Sequence, residues 1–354
     1  MDFLKIISFI LIAITGVLTI FQFLKRVEWW IRLADFIHLQ LTVVSFCSWL
    51  FLLIFYFNET VSRYFIIFGV ALSVIHLYII LPYTRLYKKQ VKDSKNKDVH
   101  NQISILEANV LMYNESYDKL LNLVENMHPD ILIAIETDYN WESAIEVLSE
   151  KYPYQIRYAQ DNTYGMHLYS KLELREDRVH FYVEEDVPAF RTKVKLRNES
   201  LVNLFVIHPR PPSPSENYRS LERDAELLIV GREVAEIDEP VIVAGDLNDV
   251  AWSHTSRLFQ RLSGLLDPRI GRGVFNTFHV KYPLIRWPLD HVFHSKHFLV
   301  GNVQRLKSID SDHFPIFLKL HLEAHLAKKV NEGTEQLSTK DVHEAENKLK
   351  RVDT

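Results

Sequence analysis

Cysteine is almost missing from this 354-residue chain: Cys47 stands alone. An internal disulfide and any multi-cysteine zinc site are therefore excluded. Glycine is also sparse, with 10 residues against 13 prolines, so the composition is neither collagen-like nor low in complexity. No Gly-x4-Gly-Lys-Ser/Thr loop occurs, which excludes a P-loop protein. With 47% hydrophobic and 24% charged residues, the length suits one large domain or two ordinary ones.

Charge itself is missing from three early stretches, Ile6–Leu24, Phe36–Asn58 and Tyr64–Thr84, of 19, 23 and 21 residues. About 20 apolar residues suffice for a helix to cross the hydrocarbon core. Trp29, Trp30, Tyr83 and Tyr87 fall where interfacial aromatics belong. Buried core helices, or a cleaved signal for the first stretch, are the alternatives. However, only Lys5 precedes the first run and no clear cleavage site follows it. The expectation is a three-helix anchor over residues 1–84, in a multi-pass membrane protein whose partner is the lipid bilayer. Three helices put the first loop and the rest of the chain on one side. That side carries Lys25, Arg26 and Arg32, then Arg85, Lys88, Lys89, Lys92, Lys95 and Lys97, against Lys5 and Arg63 on the other. The bias of Lys and Arg favours a cytoplasmic domain.

Residues 85–100 read as a polar basic linker without apolar periodicity, and residues 326–354 as a charged tail, a frayed surface helix or disordered. Residues 1–100 carry 11 Lys+Arg and 6 Asp+Glu, whereas residues 101–327 carry 24 and 33. The region 101–325 is thus an acidic globular domain. Strands are expected at Ile103–Leu111, Ile131–Ile135, Leu201–Ile207, Val241–Ala244, Leu289–Phe293 and Phe314–Leu320, with helices over Glu115–Met127 and Glu216–Ile237. This mixture suggests α/β layers with mixed sheets.

Each apolar strand stops at an acid, an amide or a histidine. These are Asn109, Glu136, His208, Asp246 with Asn248, Asp290, and Asp312 with His313. Strand-end loops are where a rigid scaffold presents catalytic groups. Singly, each has a bland reading as a solvated loop residue, a turn or a structural histidine. Their order carries more. Gly-Asp-Leu-Asn (245–248), Leu-Asp (289–290) and Ser-Asp-His (311–313) resemble the endonuclease/exonuclease/phosphatase superfamily, the DNase I-like fold. His-Pro-Arg-Pro-Pro (208–212), Asp-Leu-Asn-Asp-Val-Ala-Trp-Ser (246–253) and Trp-Pro-Leu-Asp-His-Val (287–292) resemble its membrane-anchored bacterial branch, which contains a teicoplanin-resistance membrane protein.

The resemblance implies a four-layer α/β sandwich with two mixed sheets behind three transmembrane helices. It implies a hydrolase of phosphate ester bonds that uses Mg²⁺ or Mn²⁺, with Glu136 as the main metal ligand and Asn109 and Asp312 beside it. Asp246 would orient or deprotonate the attacking water, and Asn248 would donate to the phosphoryl oxygens. His313, fixed by Asp290, would contact the phosphate or protonate the leaving oxygen, and His208 would be a second histidine at the phosphate. Tyr164-Gly165 and Ser170-Lys171 resemble the family's segment before its middle strand. Arg210 and Arg219 either face the phosphate or form surface ion pairs. The resemblance to the resistance branch implies the outer face of the membrane, against the charge bias.

Three functions compete: a phosphatase or phosphodiesterase on a lipid-linked phosphate, a Mg²⁺-dependent nuclease, and a non-catalytic membrane protein that kept the fold. Filled catalytic positions disfavour the third. The net charge of −9 over residues 101–327 disfavours nucleic acid as a partner. A membrane anchor favours a substrate in the bilayer. No protein partner is read from the sequence.

Overall fold

In the computed structural model, residues 2–24 and 26–352 are described. Lys25, which entered the charge bias, and the last two residues of the tail lie outside them. Four helices come first: α1 (Asp2–Phe23), α2 (Trp29–Phe36), α3 (His38–Tyr56) and α4 (Thr60–Ile80). α1, α3 and the segment Thr60–Tyr83 are each long and apolar enough to cross a membrane. Most of their surface is exposed and apolar, as Ile10, Ile14, Val17, Phe55 and Ile67 illustrate. The inner seam is tight: a methyl group on Gly69 would stand 2.9 Å from Trp49 Cβ, the close approach that small residues permit between apolar helices. A bond from Lys5 Nζ to Glu59 at 3.2 Å ties the start of α1 to the α3–α4 turn. The short α2 buries Ile31, Arg32, Ala34 and Asp35 and exposes Trp30 and Leu33.

The remaining chain forms two sheets. The first contains β1 (Gln102–Asn109), β2 (Ile131–Ile135), β3 (Tyr154–Tyr158), β4 (Met166–Ser170), β10 (Phe298–Arg305) and β11 (Ile316–Leu322), in the order β10-β11-β1-β2-β4-β3. The second contains β5 (Leu174–His180), β6 (Ala189–Lys195), β7 (Leu201–Val206), β8 (Val241–Asp246) and β9 (Asp290–His294), in sequence order. Only β1–β2 and β7–β8 pair in parallel, so both sheets are mixed.

Strand periodicity explains the layering. Ile131, Ile133 and Ile135 of β2 join Ile242 and Ala244 of β8 in a core between the sheets. The alternate residues Leu132 and Ala134 face α5 (Tyr117–Met127) and α6 (Tyr139–Ile145) through Leu120, Val124 and Trp141. Val241 and Val243 face α7 (Leu221–Ala235) and α8 (His254–Ser263) through Leu227, Val230 and Phe259. Strands covered on both faces read as continuous apolar runs, and the result is a four-layer α/β sandwich.

Three segments differ from the sequence expectation. α7 begins at Leu221 rather than Glu216, because the preceding residues pair with the segment that leads into α2: Trp29 N–H donates to Tyr218 O at 3.1 Å and Ser220 N–H to Val27 O at 2.7 Å. Residues 85–100 lie along β10, with Ser94 N–H on Val300 O at 2.8 Å, Val300 N–H on Lys92 O at 3.0 Å and Val91 fully buried. The tail is ordered into α9 (Ala324–Val330) and α10 (Thr339–Lys350). A Ser338–Asp341 capping box starts α10, and Ala345 packs against Leu228 and Leu258.

Candidate active site

Strand ends from both sheets converge on one cluster. β1 ends at Asn109, and Glu136 follows β2. Asp246 ends β8, and its register partner across the antiparallel pair is Asp290, the first residue of β9. His313 comes from the loop before β11. There Ser311 Oγ holds the turn, donating to Asn109 O at 2.8 Å and accepting His313 N–H at 3.0 Å.

Asn109 Nδ2 donates to Glu136 Oε1 at 2.6 Å and to Asp246 Oδ2 at 3.1 Å. His313 Nδ1 lies 2.8 Å from Asp290 Oδ2, and its Nε2 lies 3.5 Å from Asp246 Oδ2. The imidazole is buried between two carboxylates. Burial disfavours its charge, but Asp290 and Asp246 outweigh burial and raise its pKa well above the ordinary value. Burial, with Asp312 and Asp246 adding, pushes Glu136 up to about 8. Glu136 and Asn248 adopt left-handed backbone, φ 62° and 49°, conformations that cost energy in non-glycine residues and concentrate at functional sites.

Asn248 belongs to the same turn, where its N–H donates to Asp246 Oδ1 at 2.9 Å. Its side-chain Nδ2, however, donates to Pro209 O at 3.0 Å. His208 is buried against the Tyr164 ring, centroids 5.2 Å apart, and its Nδ1 has no partner. Burial lowers its pKa to about 4, so the ring is neutral at neutral pH. Asp312 reaches the cluster through its charge. Arg210 binds Glu184, Asp186 and Glu216 at 3.0, 2.8 and 3.1 Å and covers the Tyr164 ring, which is the ion-pair alternative. Arg219 is exposed and bridges Glu28 through its backbone. Gly165 is required by space, since a methyl group there would stand 1.9 Å from Thr137 O.

Sequence reading missed Glu107. It occupies an inward position of β1, in phase with Ile103 and Ile105, and neither carboxylate oxygen has a hydrogen-bond partner. Burial, then Asp290 and Asp246, push its pKa well above the ordinary value. A lone acid in the apolar phase of a strand was the available signal.

The carboxylates suit a hard divalent cation, which takes oxygen ligands, whereas Asn109 turns Nδ2 to them while its Oδ1 accepts Leu111 N–H at 3.1 Å. Asp246 and Asp290 flank His313, and Asn109 bridges Glu136 to Asp246. Among the described residues, Asp246, Asp290 and His313 also present ligand atoms within 4.8 Å of one another.

A sequence model of the endonuclease/exonuclease/phosphatase family matches residues 106–313. No curated protein matches the chain. Among solved structures, D. rerio TDP2 complexed with a single-strand DNA product is similar at 17% identity and TM-score 0.51, over 62% of this chain and 99% of that one. The human Nocturnin catalytic domain with bound sulfate is similar at 17% identity and TM-score 0.51, over 63% and 95%. An endonuclease/exonuclease/phosphatase from Bacteroides vulgatus is similar at 18% identity and TM-score 0.51, over 63% and 99%. At such identities the likeness concerns the fold.

Proposed function

The chain belongs to the endonuclease/exonuclease/phosphatase family, whose members are phosphoester hydrolases and typically depend on a divalent metal. From that premise we propose a membrane-anchored phosphoesterase acting on a phosphate carried by a lipid. Residues 1–84 anchor it, and residues 101–325 form the hydrolase domain. Glu136 would hold Mg²⁺ or Mn²⁺, with Asn109 and Asp312 beside it, and the bound cation supplies charge that offsets the negative phosphoryl oxygens.

The protein's own groups do the rest. Asp246 orients the attacking water and accepts its proton. His313, kept charged by Asp290 at 2.8 Å, delivers a proton to the leaving oxygen. Asn248, released from Pro209 O, and the neutral His208 give hydrogen bonds to the phosphoryl oxygens.

One observation carries the lipid reading: the catalytic loop is bonded to the anchor. From Asp246 and Asn248 the chain runs directly to Ala251, whose carbonyl accepts the Tyr83 hydroxyl at 2.7 Å, and to Trp252, whose Nε1–H donates to Asp35 O at 2.7 Å. Such bonds hold the site at the level where α1 and α4 end. The excess of Lys and Arg on that side favours the cytoplasmic face.

The test is a substrate panel on the full chain with Mg²⁺, and with EDTA as control: isoprenyl diphosphate, phosphoinositides, sphingomyelin and plasmid DNA. Metal-dependent turnover of a lipid, abolished by EDTA, is the expected result. Cleavage of DNA alone would establish the nuclease reading instead.

A further inference from the structure

The anchor and the hydrolase domain enclose a cavity of about 130 Å³ where they meet. Its apolar wall is made by Phe23 and Leu24 at the end of α1, by Ile79 at the end of α4, and by Trp252 of the catalytic loop. Two arginines from different modules complete it, Arg32 of α2 and Arg257 of α8. None of the site residues described above lines this cavity.

The arginines have unmet donors. Arg32 is 2% exposed, yet only its Nη1 is engaged, with Asp35 Oδ2 at 3.2 Å, while Nε and Nη2 have no partner. Arg257 Nε is buried without a partner, and among the described residues the Arg257 side chain enters no ion pair. Buried guanidinium donors without acceptors are costly. The planar fork of arginine matches the oxygens of a phosphate. Of the other polar groups at the cavity, Gln22 Oε1 also lacks a partner, whereas Asp35 and His254 are engaged. Asp35 receives the Arg32 bond, and burial pushes its pKa up to about 6. His254 is held by Glu344 at 2.6 Å.

A second cavity of about 390 Å³ shares Ile79 and Arg257 with the first. Its other cations are taken: Lys88 pairs with Glu332, and Arg261 with Glu335 and Asp341. Arg257 alone therefore offers charge to both spaces.

We propose that this junction is a binding site for the phosphate of an anionic membrane lipid, separate from the hydrolytic centre. The inference rests on the reading of α1, α3 and α4 as membrane helices. Arg32 and Arg257 take the phosphate oxygens, and the larger cavity receives the rest of the headgroup. The ends of α1 and α4, set beside the aromatic α2, lie at the depth of lipid headgroups. That placement favours a lipid over free phosphate as the source. Occupancy joins α2 to α8 across Trp252, and so clamps the anchor to the loop that carries Asp246 and Asn248.

The test uses the full chain. Extraction of membranes at alkaline pH first establishes whether the chain is inserted; release into the supernatant overturns the anchor reading itself. The inserted protein, purified in a neutral detergent, is then titrated with phosphatidylglycerol, phosphatidylcholine and inorganic phosphate, and read by native mass spectrometry and thermal unfolding. One retained phosphatidylglycerol, bound roughly tenfold or more tightly than phosphatidylcholine and raising the unfolding temperature, is expected. Arg257→Gln loses roughly tenfold of that affinity, the effect of one charge-assisted hydrogen bond. Arg257→Lys recovers part of it, and Arg63→Gln at the far end of the anchor changes nothing. Equal retention of the two lipids by the unmodified chain overturns the site without recourse to any variant. Stabilisation by inorganic phosphate equal to that by phosphatidylglycerol overturns the lipid assignment.

Discussion

Lys348→Met tests whether the tail is part of the catalytic architecture. Lys348 Nζ lies 2.7 Å from Asp224 Oδ2 and 3.2 Å from Thr255 Oγ1, with the two ionic side chains 6% and 0% exposed. Asp224 Oδ1 in turn receives Arg223 Nη2 at 2.8 Å, and Arg223 Nη1 donates to Asn248 O at 2.8 Å. The chain of contacts therefore runs from α10 to the catalytic turn. Removing one partner of a buried ion pair costs about 3–5 kcal/mol. Asp224 keeps Arg223, so the lower figure applies. For a domain of this size about 3 kcal/mol corresponds to a loss of roughly 6–12 °C in Tm.

The pH dependence of this effect has a definite sign. Burial raises the pKa of Asp224, but Lys348 and Arg223 outweigh burial and hold it below the ordinary carboxylate value. A depressed folded pKa stabilises above the unfolded value, about 3.9, and that stability is lost as pH falls through the folded value. The gap in Tm between Lys348→Met and the unmodified chain should hold from about pH 5 to 8 and narrow only below about 4. Because the pair is buried, added salt should leave the gap in place. Thermal unfolding of the full chain in detergent reads it, with the exposed Lys340→Met as control, expected within about 0.5 kcal/mol of the unmodified chain. A Tm of Lys348→Met equal to that of the control would refute the reasoning.

Three further outcomes are expected. Glu136→Gln, stripped with EDTA and refilled with Mg²⁺, should turn over at least about 100-fold more slowly, since the amide keeps the size but removes the anionic partner of the cation; full activity after refilling would remove Glu136 from the metal site. Asp290→Asn should lower turnover by roughly 10²–10⁴, because the buried His313 loses the carboxylate that holds its proton; steady-state kinetics beside a circular dichroism spectrum separate this from misfolding. Gly245→Ala should destabilise by about 3 kcal/mol or more, since Gly245 has φ 144° and an added methyl would stand 1.9 Å from Ile207 O; a denaturant midpoint unchanged by the substitution would contradict that geometry.

The amino-acid sequence alone determined the parts of this protein that depend on local composition. Uncharged runs of about 20 residues have no stable solvent but a bilayer or a core, so three apolar helices were legible in the residues themselves. Strands such as Ile131–Ile135 and Val241–Ala244, apolar on both faces, announced a covered sheet, and the polar residues ending them announced a site. The strands absent from that reading, β3, β4, β5, β6 and β10, are short or half-polar, and their identity comes from pairing partners rather than from their own period. Tertiary structure decided the rest, because the remaining groups act only through distant neighbours. Residues 85–100 look like a linker until β10 offers its edge. The tail looks frayed until Asp224 gives Lys348 a buried counter-ion 124 residues away. Asp246 and Asp290 become neighbours through strand register, and Glu107 gains meaning only from the carboxylates it faces. The two arginines at the junction, 225 positions apart in the chain, are brought to one cavity by the packing of α2 near α8. No sequence period encodes that pairing, since it arises from packing between segments far apart in the chain.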